Sequence, residues 1–89
     1  MRSTPIKQGS IVESRMGRDA GRRFLVIEEL DENFVQIADG KLRKMDRLKK
    51  KRRRHLTWVG ECEPMTARIA EGKPVQDHEV RRWLFDEEE

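Results

Sequence analysis

Short apolar runs separated by turn residues dominate the first sixty positions of the chain. Ile11 and Val12 indicate a short strand that follows Gly9, and residues 24–27 form a continuous apolar run typical of a buried strand. Residues 34–37 then predict a third strand. Turns with glycine, aspartate or asparagine are predicted at residues 17–21, 31–33 and 39–40.

The pattern continues with weaker signals. A fourth strand is expected around Leu42 and Met45, and a fifth where Leu56, Trp58 and Val59 precede a glycine. The intervening run, residues 48–55, has no hydrophobic period. Short strands joined by tight turns predict a mainly β fold, closed into a small barrel or sandwich.

Two short helices are predicted after the strands. Pro64 suits the first turn of one helix, which Gly72 ends, and Asp77 is a fair N-cap for a second helix through Phe85. Val80, Trp83 and Leu84 would form the docking stripe of the second helix, on the barrel or on a partner. The predicted organisation is a flexible N-terminus at 1–8, a barrel at 9–60 that includes a basic run at 41–55, and a helical appendage at 61–89 with an acidic tail.

Composition limits the fold to one small domain. The chain has 89 residues, of which 35% are hydrophobic and 42% charged, so the core must be small. No run approaches the roughly 18 apolar residues of a membrane span, and the N-terminus lacks the apolar segment of a signal peptide. A lone Cys62 also fits a reducing compartment, so we expect a cytoplasmic protein with no membrane partner.

Charge is distributed very unevenly along the chain. Residues 41–55 hold ten of the 20 Lys and Arg residues and one acidic residue, a net charge of +9. Residues 1–40 carry a net charge of −1, and residues 56–89 carry −5. Such a block of like charge is tolerated mainly where an opposite charge meets it, so the expected partner is a polyanion.

Residues 9–30 resemble the KOW motif. That motif consists of a strand, a basic turn closed by a glycine, and a second strand. The leading glycine falls on Gly9, the apolar strand position on Val12, the start of the turn on Gly17 and the key glycine on Gly21. Residues 39–56 extend the match. The chain thereby resembles KOW-type large-subunit ribosomal proteins of archaea and eukaryotes and short bacterial KOW-domain RNA-binding proteins. Phe24 stands where many KOW motifs carry a further glycine, which fits the ribosomal branch better than the NusG-like transcription factors.

The resemblance implies an SH3-like β-barrel that binds RNA, most plausibly structured ribosomal RNA or the ribosome. Basic side chains at the turn and in the run would neutralise phosphates, and guanidinium groups would also stack on unpaired bases. Phe24 and Phe34 are expected in the core, and Trp58 is expected to pack more than to stack. The candidate RNA-binding residues are Arg18, Arg22, Arg23, Lys41, Arg43, Lys44, Lys49, Lys50, Lys51, Arg52, Arg53, Arg54 and His55.

Residues for catalysis are nearly absent from the sequence. Cys62 and His78 do not make a metal set, and there is no glycine-rich phosphate loop before a helix. We therefore expect no enzyme activity, no metal and no cofactor. The alternative function is a ribosome- or transcription-associated adaptor that binds a protein through residues 64–85. A DNA-binding protein is a third possibility, against which the missing recognition helix argues.

Overall fold

A computed structural model of the protein describes residues 6–85, which form one five-stranded antiparallel sheet and two helices. The sheet order is β4-β3-β2-β1-β5. Single 3-10 turns at Gly17–Asp19 and Arg53–His55 follow β1 and β4. The elements are β1 (Ser10–Ser14), β2 (Arg23–Glu29), β3 (Phe34–Ala38), β4 (Lys49–Arg52), β5 (Leu56–Glu61), α1 (Glu63–Ala70) and α2 (Asp77–Phe85).

The curvature of the sheet follows from the link between β4 and β5. These strands lie at opposite ends of the sheet, yet only the 3-10 turn Arg53–His55 joins them. Three residues span this distance only if the sheet curls until its two ends approach each other. The expected mainly β, SH3-like barrel with two C-terminal helices is therefore confirmed, although β4 and β5 do not pair and the sheet stays open.

The concave side of the sheet encloses an interior core. Alternate residues of the strands point inward, as the paired positions Val12↔Phe24 and Val26↔Ile37 show. Side chains on this side are almost completely removed from water, which supplies most of the stability of so small a barrel. The interior core comprises Ile6, Val12, Phe24, Val26, Val35, Ile37 and Leu56.

The two helices cover the convex side of the sheet. Leu25 points outward from β2 and packs with Cys62, Met65 of α1 and Val80 of α2. Trp83 and Leu84 are partly buried against this outer core, as the predicted docking stripe requires. The helices thus pack on their own sheet, and the unbroken apolar run of β2 reflects burial on both faces.

The fourth strand differs from the prediction. Leu42 and Met45 lie in a loop, where Leu42 is 66% exposed and Met45 packs against the outer core. The strand is instead Lys49–Arg52, inside the basic run. The hydrophobic pattern missed it because an edge strand pairs through its backbone, here with Ile37↔Lys49 and Val35↔Lys51, and needs no apolar side chain of its own.

The ends of the appendages also differ in detail. Within the expected flexible N-terminus, Ile6 is 3% exposed in the interior core, and Lys7 and Gln8 are exposed but hydrogen-bonded to Ser10 and to β2. Asp77 does not cap α2, because its Oδ1 accepts a hydrogen bond from the Met45 amide at 2.7 Å. The Gln76 carbonyl receives the first helical bonds instead, and its amide donates to Glu79. Residues 1–5 and the acidic tail 86–89 lie outside the described residues.

Within residues 6–85, no helix is long and apolar enough to cross a membrane.

Substitutions at Gly21 and Gly40 distinguish the cost of backbone strain from the cost of a steric clash. Gly21 and Gly40 have φ values of +86° and +78°, so a Cβ at either is strained by about 1–2 kcal/mol. A Cβ at Gly21 would meet nothing within 4 Å, whereas at Gly40 it would lie 2.6 Å from the Asp77 carbonyl oxygen. We expect Gly21→Ala to cost about 1–2 kcal/mol of unfolding free energy and Gly40→Ala about 3 kcal/mol or more, measured by urea denaturation. Equal losses would contradict the packing of α2 on this turn.

Candidate nucleic-acid interface

The basic strand β4 presents its side chains alternately to the two faces of the sheet. Lys49 and Lys51 pair with Ile37 and Val35 of the interior face, whereas Lys50 and Arg52 pair with Gln36 and Phe34 of the opposite face. Directly paired residues share a face. The sheet therefore divides a run that is continuous in sequence into two groups of cations.

The first group is organised around Asp19. Lys49 Nζ donates to Asp19 Oδ2 at 2.6 Å, which ties β4 to the 3-10 turn Gly17–Asp19. Lys51 Nζ reaches the Met16 carbonyl oxygen at 3.4 Å on the same turn. The hydrogen bond from Lys49 lowers the pKa of Asp19 against the effect of burial, and the charges of Lys51 and Arg43 lower it further. Asp19 thus binds Lys49 directly, and the charges of Lys51 and Arg43 act on the same carboxylate.

The 3-10 turn Arg53–His55 adds further basic residues beside this group, together with Arg15. Arg15 Nη1 lies 3.5 Å from the Arg54 carbonyl oxygen, and the Arg15 amide donates to the His55 carbonyl at 2.8 Å. Sequence reasoning missed Arg15, whose only signal was its charge. We call Arg15, Arg43, Lys49, Lys51, Arg54 and His55 the basic surface.

His55 contributes to this surface as a neutral group. Desolvation lowers the pKa of its imidazole, and the charges of Arg54, Lys51, Arg52 and Arg15 lower it further. The ring is therefore uncharged at pH 7, when it can donate one hydrogen bond and accept another.

A second buried carboxylate shapes the loop between β3 and β4. Asp39 is 1% exposed, and its Oδ1 accepts hydrogen bonds from the amides of Lys41 and Arg43 at 2.8 and 2.9 Å. Arg22 approaches its Oδ2 at 3.8 Å. The predicted turn at Asp39 and Gly40 is thus confirmed, and it fixes the backbone from which Arg43 projects.

Arg53 faces inward, unlike its neighbours in the run. Its guanidinium is 14% exposed and donates to the carbonyl oxygens of Ile6 at 2.6 Å and Asp31 at 2.9 and 3.0 Å. It also pairs with Glu29 at 3.0 Å, which holds the pKa of that carboxyl below its usual value. These contacts occupy the donors of Arg53 inside the fold, so we leave it out of the basic surface.

The second group of cations surrounds Phe34. Lys50 Nζ lies 4.5 Å and Arg52 Cζ 4.8 Å from the centroid of the Phe34 ring. The ring is half-buried and belongs to neither core, whereas a core position was expected. The expectation rested on the place of Phe34 inside a strand pattern, and it failed because Phe34 lies on the face of β3 opposite Val35 and Ile37, outside the area that the helices cover.

The remaining predicted site residues are spread over other parts of the molecule. Arg23 lies 3.8 Å from Glu13 across β1 and β2, and Lys41 lies over the Phe85 ring of α2 at 4.4 Å. Arg18 and Lys44 are exposed. Trp58 is 39% exposed on β5, with its Nε1 3.4 Å from Glu61, so its expected packing is only partial.

Metal-ligand clusters and the cysteine are the remaining candidates for chemistry within residues 6–85. No cluster of three or more His, Cys, Asp or Glu residues there has the geometry of a metal site. Cys62 is buried in the outer core, and desolvation raises the pKa of its thiol. A protonated, enclosed thiol is a poor nucleophile.

The bond between Asp19 and Lys49 predicts a pH-dependent contribution to stability. The folded pKa of Asp19 lies below its ordinary value of 3.8, so the contribution is complete above that pH and is lost as the pH falls through the folded pKa. We expect Asp19→Asn to cost about 1–3 kcal/mol at pH 7, and the difference from the parent to shrink below pH 3.8. Urea denaturation at pH 7 and pH 3 measures both values. The exposed Asp46→Asn is the control, and an equal loss there would contradict the role of the bond.

Comparisons with known proteins place the chain in a family. No protein-family model matches it. It is 34% identical over 79 residues to large ribosomal subunit protein eL14 of the archaeon Pyrobaculum calidifontis, an alignment that covers 89% of this chain and 71% of that relative. Similarity at this level over most of both chains means that the chain belongs to the eL14 family of large ribosomal subunit proteins.

Proposed function

We propose that the protein is a non-catalytic component of the large ribosomal subunit in the cytoplasm, and that its basic surface binds ribosomal RNA. The carrying observation is the basic surface itself, because the fold gathers cations from β4, from the 3-10 turn Arg53–His55 and from the loops that carry Arg15 and Arg43. Membership of the eL14 family supplies the ribosomal context. The KOW resemblance of residues 9–56 agrees with both, and its turn carries Arg18 beside Asp19.

The electrostatic arrangement supports binding to phosphates. Lys49 and Lys51 lie two residues apart on the same face of β4, about 6–7 Å along the strand, so their charges act on one region of a nucleic-acid backbone. Buried Asp19 and Asp39 hold the backbone and side chains in place, so binding would order few additional groups. Neutralising phosphates releases counterions, which drives association without any base contact.

The lysines of β4 also have a structural role. An edge strand exposes backbone groups to which another chain could add, and lysine side chains discourage that addition. This effect explains one or two lysines on β4. It does not explain why the basic residues continue through the 3-10 turn to His55, where no strand edge needs protection.

The structure does not favour the alternative function of a protein-binding adaptor. In that function a protein partner would bind residues 64–85, for which an apolar stripe is the usual contact. Met65 and Val80 are fully buried against the sheet, and Trp83 and Leu84 pack around them. The stripe therefore stabilises the chain's own fold.

The proposal predicts RNA binding with a steep dependence on salt. About five cations of the basic surface reaching phosphates together give a log–log slope of roughly −3.5 to −4.5 between 50 and 200 mM salt. Lys51→Gln and Arg54→Gln should each reduce the magnitude of that slope by about 1. The control is Lys73→Gln, an exposed lysine beyond α1 that faces Glu71 at 3.6 Å. Titration of a structured ribosomal RNA fragment at several salt concentrations measures the slopes, and a slope near zero would contradict the mechanism.

A second prediction concerns association with the ribosome. In a gradient of cell extract at low salt, the protein should sediment with large subunits and leave that fraction after ribonuclease treatment. A combined Lys51→Gln and Arg54→Gln variant should shift toward the top of the gradient, because each change removes a phosphate contact. Sedimentation with large subunits that persists after ribonuclease treatment and in the double variant would favour a protein-mediated adaptor.

A further inference from the structure

Phe34 occupies an unusual place for a phenylalanine in so small a fold. It lies on the face of β3 that neither core covers, directly opposite Arg52 and diagonal to Lys50. Both cations approach its ring, at 4.8 and 4.5 Å from the centroid. Unpaired nucleobases stack on aromatic rings and on guanidinium planes, and both kinds of surface meet at this position.

The cations beside Phe34 are not held in ion pairs within residues 6–85, although the charge of Lys50 acts on Asp31 and helps to lower the pKa of that carboxyl. Neither Lys50 nor Arg52 forms an ion pair with any residue from 6 to 85, and both are exposed. Asp31 lies in the adjoining hairpin, and its Oδ1 accepts hydrogen bonds from the amides of Asn33 and Phe34 at 2.8 Å each. Those two bonds hold the pKa of Asp31 below its usual value and direct Oδ1 to its own turn.

We propose that Phe34 and Arg52 form a stacking site for an unpaired nucleobase of RNA, with Lys50 beside it to receive a phosphate. This inference rests on the proposed RNA-binding function and adds base stacking to it. The basic surface lies on one side of β4 and Phe34 on the other, and β4 ends the sheet among the described residues. An RNA that crosses the outer edge of β4 therefore meets phosphate-binding cations on one side and the stacking site on the other.

The stacking site should favour RNA with unpaired bases over fully duplex RNA. A duplex hides its base faces in the stack and offers only phosphates and the shallow groove to a small barrel. A loop or bulge exposes a base that can leave its neighbours for the Phe34 ring. The predicted ligand is thus a junction between a helix, which the basic surface contacts, and at least one unpaired nucleotide.

The test compares two RNAs that differ only in unpaired bases. One is a blunt duplex, and the other has the same stem closed by a loop that contains 2-aminopurine, a fluorescent base whose emission stacking quenches. Phe34→Leu removes the aromatic face and keeps every charge. We expect it to weaken binding of the loop RNA by about 5- to 150-fold, to change duplex binding less than twofold, to leave the salt slope unaltered and to abolish the quenching.

Two further variants make the result specific. Phe34→Trp enlarges the aromatic face and should keep or strengthen loop binding and quenching. Phe85→Leu is the matched control, because Phe85 on α2 is another exposed ring beneath a lysine. This substitution should leave the binding of both RNAs unchanged. Phe34 belongs to neither core, so both variants should fold, which circular dichroism and the melting temperature check.

The outcomes separate this inference from the proposed function. Equal weakening of loop and duplex binding by Phe34→Leu would mean that the ring only positions Lys50 and Arg52, and would overturn the stacking site. Unchanged loop binding and quenching in Phe34→Leu would overturn it as well. Failure of the parent protein to bind either RNA would overturn the proposed function itself.

Discussion

The corner between β4 and β5 is the constraint on which the rest of the fold depends. There the chain passes from one end of the sheet to the other, and Arg53 fixes the passage. Its guanidinium joins the N-terminal segment at Ile6, the β2–β3 hairpin at Asp31 and the end of β2 at Glu29. Its amide donates to the Asn33 carbonyl at 2.8 Å. Without this corner the sheet would lie more open, and the interior core would be exposed to water.

The same corner decides how the positive charge is presented. A straight run of ten cations would repel itself along one line. The strand distributes Lys49 and Lys51 to one face and Lys50 and Arg52 to the other, and the corner turns Arg53 inward. Buried or hydrogen-bonded carboxylates offset the repulsion that is left, with Asp19 against Lys49 and Glu29 against Arg53. The charge density that favours RNA is thereby compatible with a stable fold.

The helices complete a domain that the barrel would not stabilise alone. Leu25 of β2 points away from the barrel interior, and Met65 and Val80 remove it from water. Arg68 of α1 pairs with the buried Glu79 of α2, which joins the two helices to each other. Because each helix is too short to be stable in isolation, both depend on this shared packing.

The sequence by itself determined the order of the elements and the position of the turns. Short apolar runs bounded by turn residues specified β1, β2 and β3, and apolar residues near a glycine specified β5. Glycines at 21 and 40 marked backbone with positive φ, and the charge count indicated a polyanionic partner. These features are local, so they can be read from neighbouring residues.

Only the tertiary structure decided which residues of the basic run face which way. β4 is a strand because the backbone of β3 pairs with it, and nothing in the seven consecutive polar residues 49–55 signals that pairing. The exposure of Phe34 likewise depends on where the helices stop covering the sheet, and the inward turn of Arg53 depends on carbonyl groups 22 and 47 residues away. Contacts between distant parts of the chain have no local signature, which is why sequence reasoning treated the whole run as one uniform interface.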